Sequence, residues 1–208
     1  MHARAPLTYL ALGDSYTIGE GVDPSTRWPM QLAQALRETG IAIDDPRIIA
    51  TTGWTTDELS AAMDSEEPLG TWDFVSLLIG VNDQYRGRAV DDYLDQFSHL
   101  LHRAITLANG RANRVLVLSI PDWSVTQFAA ASGRDLRQIA EELDAYNVAA
   151  REVCASQGVA FVDITEVSRD RGQNAAMLAE DGLHPSATMY TEWTRLALPA
   201  ANLLLQNT

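Results

Sequence analysis

Short β-branched or apolar runs alternate along this chain with longer amphipathic stretches, and that alternation restricts the fold more than any other feature. The runs fall at residues 7–12, 47–51, 74–79, 115–119 and 159–162, each followed by polar, Gly or Pro punctuation. Strands interleaved with helices read as β-α-β units, so the expected architecture is α/β: a parallel five-stranded sheet covered by helices. The helices are expected at about 27–38, 56–63, 91–108, 135–156 and 186–205. In the longest of them Leu136, Ile139, Ala140, Leu143, Tyr146 and Asn147 recur at helical spacing, as a helix packed on a sheet requires. Residues 170–179 are polar and weakly periodic, which predicts a loop returning the chain to the sheet's carboxyl edge before the last helix.

A chain of 208 residues, 46% of them hydrophobic, is long enough for one sizeable core, and no linker, repeat or low-complexity tract divides it. One domain over 1–208 is therefore expected. With 28 acidic residues against 15 basic ones the net charge is −13, which repels phosphate backbones and argues against a nucleic-acid partner. Lysine is missing from the sequence altogether. Schiff-base and pyridoxal-phosphate chemistry, and the P-loop, each need that amine and drop out. The single cysteine, Cys154, lies in an Ala- and Glu-rich stretch and reads as a small buried hydrophobe; alone it builds neither a disulfide within the chain nor a thiolate metal cluster. The start of the chain lacks a signal-like apolar segment, and no apolar run reaches bilayer-spanning length, so a cytoplasmic location without a membrane anchor is expected.

The first chemical constellation is Gly13-Asp14-Ser15-Tyr16-Thr17-x-Gly19, where the first strand ends in a sharp turn into a helix. Ser15 stands at that turn. A serine hydroxyl needs a base to become a nucleophile, and a turn at the carboxyl edge of a sheet exposes it to base and substrate while a helix start offers free N–H groups. Taken alone, Asp14-Ser15 is also what an ordinary helix cap looks like. A second element, Asp181-Gly182-Leu183-His184-Pro185, precedes the last helix. Asp181 can accept the ring N–H of His184 and leave the other nitrogen to take a proton. Of the remaining histidines, His2 is terminal, and His99 and His102 share one helix without a third ligand, which reads as a solvated or capping role and predicts no metal site.

Two further turns supply candidate donors. Gly53, in Thr52-Gly53-Trp54 after the second strand, lets the main chain present an N–H, and Asn82, in Gly80-Val81-Asn82-Asp83 after the third, offers an uncharged amide to a developing oxyanion. Either is also an ordinary strand-ending turn in isolation. Trp54, Tyr85 and Trp123 each follow a strand's carboxyl end and form a candidate aromatic wall for an acyl chain or sugar ring.

Gly-Asp-Ser at Ser15, Gly53, Gly80-x-Asn82-Asp83 and Asp181-x-x-His184 stand in the order of the sequence blocks of the SGNH hydrolases, or GDSL esterases and lipases, and over nearly its whole length the chain resembles that family. The resemblance implies a three-layer α/β/α, flavodoxin-like fold. It implies a Ser15-His184-Asp181 triad, and an oxyanion hole from the Ser15 and Gly53 N–H groups and the Asn82 side chain. Tyr16 departs from the leucine that many members carry after the serine. Asp14, next to the nucleophile, is expected to brace the turn by accepting backbone N–H bonds.

The expected activity is hydrolysis of a small-molecule acyl ester through an acyl-enzyme, without a cofactor, rising as an imidazole deprotonates near its reference pKa of about 6.5. Lack of a long apolar lid favours short or acetyl groups. The alternatives are acyl transfer from the same residues, carbohydrate deacetylation, thioester hydrolysis, and a non-catalytic binding module that has kept the fold.

Overall fold

The computed structural model describes residues 5–206; His2 lies outside that range. Five strands, β1 (Tyr9–Gly13), β2 (Arg47–Ala50), β3 (Phe74–Leu78), β4 (Val115–Leu118) and β5 (Ala160–Val162), form one parallel sheet in the order β2-β1-β3-β4-β5. The central strands β1, β3 and β4 are buried along their whole length, whereas edge strand β2 is exposed at its start and β5 is half-buried. A parallel strand covered on both faces must be apolar at successive positions, which is why Tyr9 to Leu12 and Val115 to Leu118 read as unbroken runs. Ser76, a polar residue inside β3, spans to the Tyr9 hydroxyl at 2.9 Å, so that both are satisfied without water.

Nine helices connect and cover the sheet among the described residues: α1 (Ser15–Ile18), α2 (Trp28–Glu38), α3 (Thr56–Ser65), α4 (Val81–Tyr85), α5 (Val90–Leu107), α6 (Gln127–Ala131), α7 (Leu136–Gln157), α8 (Thr165–Arg171) and α9 (Ala187–Gln206). α2 packs on α9, and α5 packs on both α3 and α7. Right-handed crossovers produce this division: α2 leads outward from β1 to β2, and α3, α5 and α7 lead back through β3 to β5, so the two groups cover opposite faces. In α7 the buried residues are Ile139, Leu143, Tyr146, Asn147, Ala150 and Cys154. Leu136, expected on that buried stripe, is exposed at the first turn of α7. Asn147 uses its side-chain amide as a backbone substitute, donating to the Ile120 carbonyl at 2.9 Å and accepting the Ile120 N–H at 2.8 Å where β4 ends.

The expected loop at 170–179 is corrected in part. Helix α8 runs to Arg171 and a single 3₁₀ turn occupies Ala175–Met177. Tertiary ion pairs hold α8: Arg169 reaches Asp122 and Asp144, each at 2.8 Å, and neither partner is near in sequence. No helix among the described residues is long and apolar enough to cross a membrane.

Candidate active site

The strand order reverses between β1 and β3, and in open α/β sheets the crevice at the carboxyl ends of the strands at such a switch is where ligands bind. Ser15 follows β1 and Asn82 follows β3 at that point. Ser15 is the first residue of α1, so its N–H has no preceding turn to bond to. Asp14 caps the helix, its Oδ1 accepting the Tyr16 N–H at 3.0 Å. Complete burial raises the Asp14 pKa to about 8 against the pull of that N–H, and the nearby Asp83 charge adds to the rise. Asp14 forms no hydrogen bond or ion pair with His184, and its bond from the Tyr16 N–H braces the turn, as expected of it.

Gly53 adopts a left-handed φ of +88°, which a side-chain-bearing residue rarely tolerates. Its carbonyl accepts from Arg86 Nη2 at 2.7 Å, and the next carbonyl, that of Trp54, accepts from Asn82 Nδ2 at 2.9 Å. The loop after β2 is thus clamped to the loop after β3. One of the two Asn82 amide hydrogens is spent on this clamp, and the other remains. Gly80 makes the turn before Asn82 possible: at φ +129° its missing Cβ would lie 2.6 Å from the Tyr93 ring and 2.7 Å from Ile120. The buried Asp83 carboxylate accepts from Thr56 N and Oγ1, at 3.1 and 2.8 Å, and from Arg88 at 3.0 Å, fastening α4 to α3.

In the turn before α9, Asp181 Oδ1 accepts the Leu183 and His184 N–H groups at 2.9 Å each, and Oδ2 lies 2.5 Å from His184 Nδ1. Burial pushes the Asp181 pKa up, but the ring N–H and the two backbone N–H groups together outweigh it and hold the carboxyl below its usual range. An ionised carboxylate only accepts, so in a neutral imidazole facing it Nδ1 carries the proton and Nε2 keeps its lone pair. The imidazole also meets the Tyr16 ring edge-on, with centroids 5.9 Å apart.

These pieces converge on one cleft of about 240 Å³. Ser15, Gly53, Asn82 and His184 all line it, with Tyr16, Thr52, Val81, Tyr85, Trp123, Phe128 and Leu183 completing a mostly apolar wall. No hydrogen bond joins the Ser15 hydroxyl to the imidazole; catalytic bonds of this kind often tighten around substrate. Tyr85 and Trp123 lie in the wall, their rings 5.5 Å apart, and the Trp123 indole donates to Gln84 Oε1 at 2.9 Å. Trp54 does not line the cleft: its side chain packs against the core, and it contributes only the carbonyl that Asn82 holds.

Sequence reasoning missed Phe128, carried on the five-residue α6, and Arg86, whose bond to Gly53 spans 33 positions; neither has a local signal. The Gly182 carbonyl accepts the Phe128 N–H at 3.1 Å and ties α6 to the histidine turn. His99 and His102 are exposed on α5, and Cys154 is buried, its thiol pushed up to about 12 by desolvation. Among the described residues no group of three His, Cys, Asp or Glu side chains is arranged to hold a metal ion.

Residues 11–191 match the family model described as GDSL-like lipase/acylhydrolase. No curated protein matches the chain. Among solved structures it is similar to TesA, with 21% identity, 95% of this chain and 99% of that one covered and a TM-score of 0.69. It is similar to a lipase/acylhydrolase from Enterococcus faecalis, with 20% identity, 96% and 97% covered and a TM-score of 0.71. An acetylxylan esterase from Geobacillus stearothermophilus superposes with 20% identity, 97% and 96% covered and a TM-score of 0.70. At these identities the likeness establishes the fold.

Proposed function

The chain belongs to the GDSL-like lipase/acylhydrolase family of ester-cleaving enzymes, and on that premise we propose that it hydrolyses small acyl esters with Ser15 as nucleophile, His184 as base and Asp181 as the acid that orients it. The observation that carries this reading is the convergence of Ser15 and His184, 169 positions apart in sequence, on one cleft that Gly53 and Asn82 also line. The 2.5 Å contact between Asp181 and His184 Nδ1 supports the assignment of the base, because it leaves Nε2 as the acceptor.

In the first half of the reaction the Ser15 oxygen attacks the ester carbonyl and its proton passes to His184 Nε2. The carbonyl oxygen becomes an anion held by the Ser15 and Gly53 N–H groups and the remaining Asn82 amide hydrogen. The C–O bond to the alcohol then breaks, the alcohol leaves with the proton from His184, and the acyl group stays on Ser15. Water attacks that ester, gives its proton to His184, and the Ser15 oxygen departs with it as the carboxylic acid is released.

A cleft of about 240 Å³ lies just under the roughly 300–1,000 Å³ of typical small-molecule sites, which favours acetyl and other short acyl groups. Its wall is apolar but narrow. A fluorophosphonate probe tests the reading directly: it should label the wild-type protein at Ser15 and leave Ser15→Ala unlabelled. Equal labelling of both proteins would refute it. Transfer of the acyl group to an added alcohol uses the same residues and is read as a transferred ester among the products.

A further inference from the structure

Beside the cleft lies a second hollow, of about 480 Å³, whose lining is half polar where the cleft's is mostly apolar. Tyr85 lines both and so stands where the two spaces meet. Arg134 stands over that ring with Cζ 4.0 Å from the centroid, and 5.8 Å from the centroid of Trp123. Its Nη1 donates to the Tyr85 carbonyl at 3.0 Å. Most arginines of this acidic protein sit in ion pairs, but Arg134 makes none among the described residues, so its remaining N–H donors are oriented by an aromatic stack and one carbonyl and have no carboxylate to satisfy them.

Across the hollow stand acceptors. Glu142 accepts from Gln84 and Gln138 at 2.7 and 2.8 Å, and Asp135 Oδ1 caps α7 through the Arg137 and Gln138 N–H groups. Each of these carboxylates keeps lone pairs beyond those bonds. With Arg86 and Arg134 balanced by Asp135 and Glu142, the lining has no net charge to draw in an anion, and the molecule's −13 opposes one at long range. A hydroxyl group both donates and accepts, and it matches a wall that does the same.

We propose that this hollow is the subsite for a neutral, hydroxyl-rich part of the substrate, a sugar ring or comparable polyol, while the acyl group occupies the apolar cleft. The inference rests on the esterase reading and adds to it the chemistry of the substrate's larger half. Arg134 is its specificity-determining residue, and Tyr85 is the hinge point between the two spaces.

The test compares kcat/KM for three acetate esters: an acetylated methyl glycoside, ethyl acetate, and acetylated glycolate, whose alcohol part is anionic. The wild type should prefer the glycoside. Arg134→Ala should lower the ratio of glycoside to ethyl acetate about tenfold, the size of one lost hydrogen bond to a charged donor. Gln138→Ala removes a lining amide without touching the Tyr85 stack; it should lower the same ratio severalfold, and it carries the test if the arginine variant fails to fold. Ratios unchanged in both variants, with ethyl acetate still cleaved and Ser15→Ala inactive, would overturn the subsite and leave the esterase reading standing. A preference for acetylated glycolate that Arg134→Ala abolishes would overturn it in favour of an anion site. Failure to cleave any of the three esters would remove both readings together.

Discussion

The turn that carries Ser15 and the turn that carries His184 reach the same cleft by different physical means. Ser15 continues a strand at the middle of the sheet; Asp14 and Ser15 are buried, and the backbone around them is held by β1 on one side and α1 on the other. The histidine turn is solvent-facing, with the Asp181 side chain 42% exposed; backbone bonds with Ala179 and Phe128 fasten it, and one carboxylate that accepts three hydrogen bonds sets the direction of the ring. Position at the first turn is therefore a property of the whole sheet, whereas at the second the direction of the imidazole is a local property that one substitution removes. The two oxyanion candidates stand between these extremes, since Gly53 and Asn82 are tied to each other's loops through Trp54 and Arg86.

That contrast can be broken by experiment. Ser15→Ala deletes the hydroxyl from a turn that the sheet holds in place, so turnover should fall about 10⁶-fold while the melting temperature stays within a degree or so of wild type. Steady-state kinetics and a thermal melt on one preparation read both, and retained activity would refute the nucleophile assignment. Asp181→Asn should cost about 10⁴-fold in kcat, because an amide that donates toward Nδ1 selects the wrong ring tautomer. A loss below tenfold would mean that the turn holds the imidazole without its carboxylate, against the contrast drawn above. Asn82→Ala should lower kcat by about 10²- to 10³-fold with little change in KM, since an oxyanion donor acts in the transition state. An effect on KM alone would make Asn82 a substrate-binding group.

The smallest effect concerns stability at the buried turn. The folded pKa of Asp14 is about 8 against an ordinary 3.8, so between those values the folded protein holds a proton that the unfolded chain releases. Stability is then greatest below the lower value and declines as pH rises toward the higher one. Asp14→Asn keeps an oxygen to accept the Tyr16 N–H and carries no charge. Its melting temperature should exceed wild type by several degrees or more at pH 8, with the gap closing toward pH 4. A gap that widens on acidification would reverse the sign and sink the account.

The fold was legible wherever burial is continuous. All five strands lie within the expected runs to within about two residues at each end, because β1, β3 and β4 are covered on both faces and leave unbroken apolar sequence. Helix α8 was not legible: its sequence is short and mostly polar, and Arg169 stabilises it through Asp122 and Asp144 from other elements. Within the cleft, the positions of Ser15, Gly53, Asn82 and His184 were readable because each sits on a short turn flanking a strand or helix. The aromatic wall was readable only in part. Trp54 and Tyr85 look alike in sequence, and the packing of Trp54 on the core against the outward placement of Tyr85 is a matter of tertiary space.

By itself the sequence determined the α/β alternation, the acidic surface charge and the kinds of side chain brought to the turns, since each is a property of neighbouring residues. Tertiary structure alone decided that the strand order reverses between β1 and β3, that Arg86 reaches Gly53, and that Arg134 covers Tyr85 from 49 positions away. The physical reason is one of range. Periodicity and turn chemistry act over a few residues, whereas burying helices on both faces of a sheet joins residues whose separation along the chain leaves no trace in local pattern.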